Sequence, residues 1–294
     1  MEYRIIDLNK WHKTGGGANS DSYRCDDDNL MLKVFKHHAT EETALRDFNM
    51  AKNVASLGIT TAAVYEIVKI GAGVADLGEK ASETFGVIYQ NIKNKKSYSR
   101  LIADDPDNLS KYAKAFAIKA KELHSTPCNT ELFEPRTEMI KRGIEKAKFV
   151  GKYKADLLEL VAKMSECTTC LHGDLQTGNL INADGVDYWI DFDRFSYGDP
   201  RFDIAHMYNM FVSVSWLFYV QNLAHMNKKQ LNEFWYAFAE EYYGYNRAEA
   251  DEFGKTLSIF NALDLIQKNA ITPGWFADLV TLILVRPKVK KYFK

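Results

Sequence analysis

Asp174, Asn179 and Asp191 are the residues whose types and spacing point most directly to chemistry. They lie in Leu171-His-Gly-Asp-Leu-Gln-Thr-Gly-Asn179 and in Ile190-Asp-Phe-Asp193. A carboxylate, a carboxamide five residues on and a second carboxylate across a short hairpin can hold a metal-bound nucleotide beside a hydroxyl. Phosphoryl transfer asks little covalent chemistry of a protein, so positioned charge and metal do most of the work. On this reading Asp174 orients or deprotonates the acceptor hydroxyl, and Asn179 and Asp191 hold magnesium. His172 reads as a structural hydrogen bonder beside the loop rather than as a catalyst. A contribution of Asp193 to the metal set stays open.

A phosphate-binding element is expected near the start of the chain. Gly15-Gly16-Gly17-Ala18-Asn19 has no side chains across its glycine triplet, which lets backbone approach a phosphate closely. Ser20 stands where the last glycine of G-x-G-x-x-G would fall, so the alternative is a loose turn. Lys33 follows, inside the apolar run Leu30–Phe35. Its bland reading is a strand lysine facing solvent. Its functional reading is a cation bridging the α- and β-phosphates, which requires an acid from the next helix. Asp47 is the first choice by position, with Glu42 and Glu41 as alternatives.

These residues need strands and helices to carry them. Tyr3–Leu8, Leu30–Phe35, 63–70 and 84–92 read as strands, and Glu41–Leu57 as a helix closing at Gly58. From Leu109 onward the pattern is helical, with segments expected over 136–150, 153–165, 201–224, 228–244 and 247–270. The exception is 170–192, where Asp184-Gly185 marks a tight hairpin. Asp199, before Pro200, suits a helix start, and Asp203 could accept from the catalytic-loop backbone or simply complement the helix dipole. The expected fold is α+β and bilobal: an N-terminal antiparallel sheet lobe with one helix over 1–92, and a larger, mostly helical lobe over 93–294.

Composition removes several function classes. A net charge of −1 gives no global field for nucleic acid or an anionic membrane. The basic end 286–294 reads as a solvated terminus. Cys25, Cys128, Cys167 and Cys170 suggest neither a disulfide framework nor a zinc site, since Cys167-x-x-Cys170 lacks a second pair. The charged N-terminus lacks a signal-peptide core, and no apolar run is long enough to span a bilayer. A cytoplasmic location without an obligate protein partner is therefore expected.

Residues from about 14 to 210 resemble the aminoglycoside phosphotransferase and choline kinase-like family, within the protein-kinase-like fold. The resemblance rests on the Gly15–Tyr23 loop, Lys33, Ile88-Tyr-Gln-Asn-Ile92, Leu123-His-Ser-Thr-Pro127, the His172–Asn179 loop, Ile190–Asp193 and Gly198–Asp203. It implies ATP between two lobes, adenine against the backbone of Gln90, Asn91 and Ile92, Asp174 as base, and Asn179 and Asp191 as magnesium ligands. Three positions depart from the family. Asp47 stands where Glu is usual, Ser20 replaces a frequent glycine, and Gln176-Thr177 replaces a frequent His-Pro.

The chain also bears on the acceptor. Gly173 stands where eukaryotic-type protein kinases carry an arginine, and only about a dozen residues separate Asp191 from Asp203, too few for a peptide platform. The expected reaction is ATP-dependent phosphorylation of a small-molecule hydroxyl on an aminoglycoside, choline-like or sugar acceptor. Trp216, Phe218, Tyr219, Trp235, Tyr236, Tyr242 and Tyr243, with Glu240 and Glu241, could line an amine-binding pocket. The plainer reading makes the rings core and the acids solvated. The alternative function is a catalytically silent nucleotide-binding regulatory module of the same fold.

Overall fold

A computed structural model of the chain describes residues 2–16, 20–25, 29–35, 40–72, 84–164, 167–271 and 275–293. The chain begins with strands β1 (Arg4–Asp7), β2 (Trp11–Gly16), β3 (Ser20–Cys25) and β4 (Leu30–Phe35), helix α1 (Glu41–Ser56), and strands β5 (Val64–Ala72) and β6 (Phe85–Gln90). The strands form one sheet in the order β1-β5-β6-β4-β3-β2. All of its pairings are antiparallel except β1 on β5, which is parallel. The expected antiparallel sheet is observed, with the β1 edge added in parallel. Three strands and a helix separate β1 from β5, and a long connection of this kind is what parallel pairing needs. Strands β2 and β3 carry no apolar alternation, so their sequence hides them. Pairing of Trp11 with Cys25 through Gly16 with Asp21 makes them a hairpin.

Period-two alternation gives β6 two faces. Phe85, Val87 and Tyr89 join Phe35 and the α1 residues Ala44 and Ala51 in one core cluster, while Ile88 joins Ile6, Leu32, Val34, Val68 and Ile70 in another. Thr40 caps α1 by accepting from the Thr43 N–H. Ala44, Ala51 and Val54 are buried on α1, and Asp47 lies on the same helix, three residues after Ala44.

The rest of the chain runs through β7 (Lys96–Ser97), α2 (Tyr98–Asp104), α3 (Leu109–Ser125), α4 (Arg136–Lys146), α5 (Lys154–Ala162), β8 (Cys170–Leu171), β9 (Leu180–Ala183), β10 (Val186–Trp189) and β11 (Ser196–Tyr197). It ends in α6 (Arg201–Tyr208), α7 (Phe218–Ala224), α8 (Lys228–Tyr243), α9 (Arg247–Thr256), α10 (Ser258–Ile271) and α11 (Trp275–Tyr292). Strands β9 and β10 are joined through Asp184 and Gly185, with φ of 49° and 85°, the two positive values a two-residue hairpin turn demands.

Two expected helices are broken. The 201–224 segment is interrupted by a π turn, Asn209–Ser213, and by extended backbone at Leu217, and the 247–270 segment is divided at Leu257. In each case apolar periodicity continues across the break, because both halves still bury a face. Contacts divide the chain into two compact units. One comprises Met1–Lys96 with Ile181–Asp193, and the other Ser97–Leu180 with Arg194–Lys294. No helix among the described residues is long and apolar enough to cross a membrane.

Candidate active site

The catalytic-loop candidates belong to the second unit. Antiparallel pairing of β8 with β11 sets Leu171 opposite Ser196 and delivers the chain into His172. Asp203, in the first turn of α6 and 1% exposed, accepts from the His172 N–H at 2.6 Å and the Gly173 N–H at 2.8 Å. His124 Nε2 lies 3.1 Å from the same carboxylate, and His124 Nδ1 lies 2.8 Å from the Tyr242 hydroxyl. Burial acts to raise the Asp203 pKa, but the hydrogen bond from His124 and the charges of His124, His172 and Arg136 hold it below the usual carboxylate value. Of the two roles weighed for Asp203, accepting from the loop backbone is the one observed.

Asp174 is met on both oxygens. Gln176 Nε2 donates to Oδ2 at 2.8 Å, and Asn179 Nδ2 donates to Oδ2 at 3.0 Å and to the Asp174 carbonyl at 2.8 Å. Lys268 Nζ and His206 Nε2 each lie 3.0 Å from Oδ1. Burial acts to raise the Asp174 pKa. Lys268, His206 and Arg194 outweigh it and hold the group well below the ordinary range. The two departures at Gln176-Thr177 thus have local roles. Gln176 holds Asp174, while Thr177 shares a 2.9 Å hydroxyl contact with Ser99 and accepts the Ser99 N–H at 3.2 Å.

Behind Lys268 stands a charged cluster that sequence reasoning missed. Asp264 is fully buried, and its Oδ1 accepts from Arg136 Nη2 at 2.5 Å and from Arg194 Nη2 at 2.6 Å. Its Oδ2 lies 3.3 Å from His206 Nδ1 and 3.9 Å from Lys268 Nζ. Arg194 also donates to Gln267. Burial would raise the Asp264 pKa, and Arg194, Lys268 and His206 reverse that strongly. The signal was present, since α10 places Asn261, Asp264 and Lys268 at i, i+3 and i+7 among apolar residues, one polar stripe on an otherwise core-forming helix.

The nucleotide-side candidates belong to the first unit. Lys33 Nζ lies 2.6 Å from Asp47 Oδ1 and 3.6 Å from Asp193 Oδ1. Asp47 Oδ2 accepts from the Tyr89 hydroxyl. Desolvation acts to lower the Lys33 pKa, but Asp47, Asp193 and Asp191 reverse it and keep the amine charged. Glu41 instead accepts from Tyr3 at 2.5 Å, and Glu42 is exposed. Gly15 and Gly16 end β2, while Gly17, Ala18 and Asn19 lie outside the described residues. The Gln90 N–H donates to the Ala63 carbonyl and the Asn91 N–H to the Asn29 carbonyl, and Ile92 is buried. Asp191 follows β10 with φ of 65°, a left-handed conformation rarely adopted by residues with a side chain. Among the described residues no group of three or more His, Cys, Asp or Glu side chains is arranged to hold a metal.

The aromatic residues proposed for an acceptor pocket divide instead of converging. Trp235 is fully buried, Tyr236 donates to Asp251, Tyr242 is bound to His124, and Glu240 pairs with Lys114 at 3.0 Å. Trp216, Phe218 and Tyr219 are exposed.

A family model described as the phosphotransferase enzyme family matches residues 10–242. The protein LicA homolog of Mycoplasma capricolum subsp. capricolum is 25% identical over 196 residues, 66% of this chain and 70% of that protein. A thermostable mutant of aminoglycoside phosphotransferase APH(4)-Ia, in a ternary complex with AMP-PNP and hygromycin B, superposes with a TM-score of 0.61 at 12% identity, covering 95% of this chain and 93% of its own. A choline/ethanolamine kinase family protein from Mesorhizobium loti superposes with a TM-score of 0.52 at 12% identity, covering 96% and 86%. At such identities the likeness is one of fold, and the bilobal α+β, kinase-like fold expected from the sequence is the fold observed.

Proposed function

This chain belongs to the phosphotransferase enzyme family, and from that premise we propose that it transfers the γ-phosphoryl group of ATP to a hydroxyl of a small molecule. The observation that carries the reading is Asp174, a carboxylate kept ionised and oriented by four side chains on a loop pinned by Asp203. The acceptor oxygen bonds to the γ-phosphorus, the bond from that phosphorus to the β–γ bridging oxygen breaks, and ADP leaves. Asp174 orients the hydroxyl and takes its proton.

Lys33, held on Asp47, meets the α- and β-phosphates, with the Gly15–Asn19 segment over them and the 90–92 backbone against adenine. Residues 1–92 then act as the nucleotide lobe and 93–294 as the catalytic and acceptor lobe. Magnesium, when bound, supplies charge neutralisation at the phosphate oxygens. Asn179 and Asp191 would hold it. Their chemistry fits, because Nδ2 of Asn179 is committed to Asp174, which leaves its amide oxygen as the ligand atom. One carboxylate and one amide oxygen suit magnesium, which is usually held by one or two carboxylates plus substrate phosphates.

We infer an aminoglycoside, choline-like or sugar acceptor, supported by the substrates and family named for the similar structures. The test is mass spectrometry of a mixed panel of amines, sugars and alcohols with magnesium and ATP. One acceptor is expected to gain a single phosphate, and Asp174→Asn should lower turnover by roughly 10²–10⁴-fold while remaining folded. Absence of any phosphorylated product from wild type would overturn the assignment and favour the silent nucleotide-binding module.

A further inference from the structure

The family match ends at residue 242, yet α10, at 258–271, brings an ammonium to the carboxylate assigned as the base. We propose that Lys268 is a positioning residue of the phosphoryl-transfer site, fixing the Asp174 carboxylate in the orientation that receives the acceptor hydroxyl. The proposal rests on the kinase reading above.

Its first support is how firmly Lys268 is itself placed. Holding a lysine in one conformation costs up to about 2 kcal/mol of side-chain entropy, so a placed lysine needs several partners. Here Nζ donates to Asp174 Oδ1 at 3.0 Å, lies 2.9 Å from His206 Nδ1 and 3.9 Å from Asp264 Oδ2. Asp264 is in turn held by Arg136 and Arg194. The amine is thus anchored on one side to a rigid buried cluster and on the other to the base. A chain of contacts runs from α4 and the Arg194 segment through α10 to the catalytic loop.

The second support is the accounting of Asp174 itself. An ionised carboxylate offers about four lone-pair sites. Gln176 and Asn179 take Oδ2, and both come from the catalytic loop. His206 and Lys268 meet Oδ1, and both come from helices. The loop itself is pinned by Asp203, and the helical pair ties the carboxylate side chain directly to α6 and α10. His206 is nearly closed off at 8% side-chain exposure, whereas Lys268 and Asp174 are 28% and 26% exposed. Lys268 is therefore the more exposed of the two helical partners of Oδ1, as Asp174 is itself partly exposed.

Two arms test this. In the first, Lys268→Met and Lys268→Arg are assayed with the acceptor that wild type phosphorylates. Lys268→Met is expected to lower kcat by roughly 10–100-fold, the effect typical of losing an orienting partner, with the KM for ATP little changed and Lys268→Arg recovering part of the loss. A kcat for Lys268→Met within about twofold of wild type would overturn the proposal. So would equal losses in both variants accompanied by a lowered Tm, the pattern of a merely structural lysine.

The second arm needs no acceptor. Acetic anhydride labelling, read by mass spectrometry, compares the Lys268 amine in wild type and in Asp174→Asn. Slow labelling in wild type that accelerates in the variant supports the ion pair, and equal rates overturn it. Wild type without turnover on any acceptor would instead remove the parent reading. The labelling result then separates that failure from an error about Lys268.

Discussion

Gly173 has φ of 82°, and a Cβ there would stand 2.1 Å from the Arg194 carbonyl oxygen. No side chain fits, which explains why the arginine that protein kinases carry between loop histidine and aspartate has no counterpart here. The loop instead depends on Asp203, which accepts both backbone N–H groups from within the first turn of α6. Asp47 illustrates the same point in the unit built on the N-terminal sheet. One oxygen serves Lys33 and the other serves Tyr89, so the tyrosine hydroxyl holds the short acid in reach of the amine. Tyr89→Phe removes that hydroxyl without changing ring volume. Losing one such hydrogen bond costs about 1 kcal/mol, so magnesium-ATP affinity is expected to weaken roughly fivefold by calorimetry, with an unchanged circular dichroism spectrum. Equal dissociation constants for the two proteins would show that Tyr89 contributes nothing to Lys33 placement.

At the scale of elements, α10 behaves unlike the amphipathic helices around it. Its polar stripe faces other elements, where Asp264 serves Arg136, Arg194, His206 and Lys268 at once. Breaking a buried ion cluster by removing one member typically costs about 3–5 kcal/mol, so this stripe constrains α4, α6 and the Arg194 segment together. Helix α11 adds a second polar contact at the other end of the stripe. Lys288 donates to Asn209 and Asn261, both neutral, and burial pushes its pKa down to about 8. An unfolded lysine titrates near 10.4, so between about pH 8 and 10 the unfolded chain binds more protons than the folded one, and stability rises with pH. Relative to Lys288→Met, wild type should gain roughly 2 kcal/mol between pH 7 and pH 10, measured by denaturant unfolding. A constant difference across that range would show that Lys288 titrates normally.

At the scale of the whole molecule, the chain passes between the two units three times, after Lys96, Leu180 and Asp193. The hairpin 181–193 thus belongs with the N-terminal sheet. Asp174 and Asn179 belong to one unit and Asp191 to the other, although only twelve positions separate Asn179 from Asp191. Magnesium with AMP-PNP at about 100 times its Kd stabilises a folded state by about 2.7 kcal/mol, so an upward shift in Tm is expected for wild type. Asp191→Ala should lose the magnesium-dependent part of that shift. A variant that kept the full shift would remove Asp191 from the metal set.

The sequence by itself determined the order of chemical groups along the chain, the helix at 41–56, the Asp184-Gly185 turn and the family resemblance. These depend on local propensity or on spacing within one loop, which neighbouring residues specify without help. Tertiary structure decided the parallel edge strand β1, the β2–β3 hairpin, the breaks in the 201–224 and 247–270 segments, and the division of the aromatic residues between core and surface. It also decided that His206 and Lys268 meet Asp174 from 32 and 94 positions away, with Asp264 behind them. The polar stripe of α10 is legible in the sequence, but the partners it meets are not. Such contacts arise only when separately folded helices are packed, and only that packing turns a lysine on an apolar helix into a partner of Asp174.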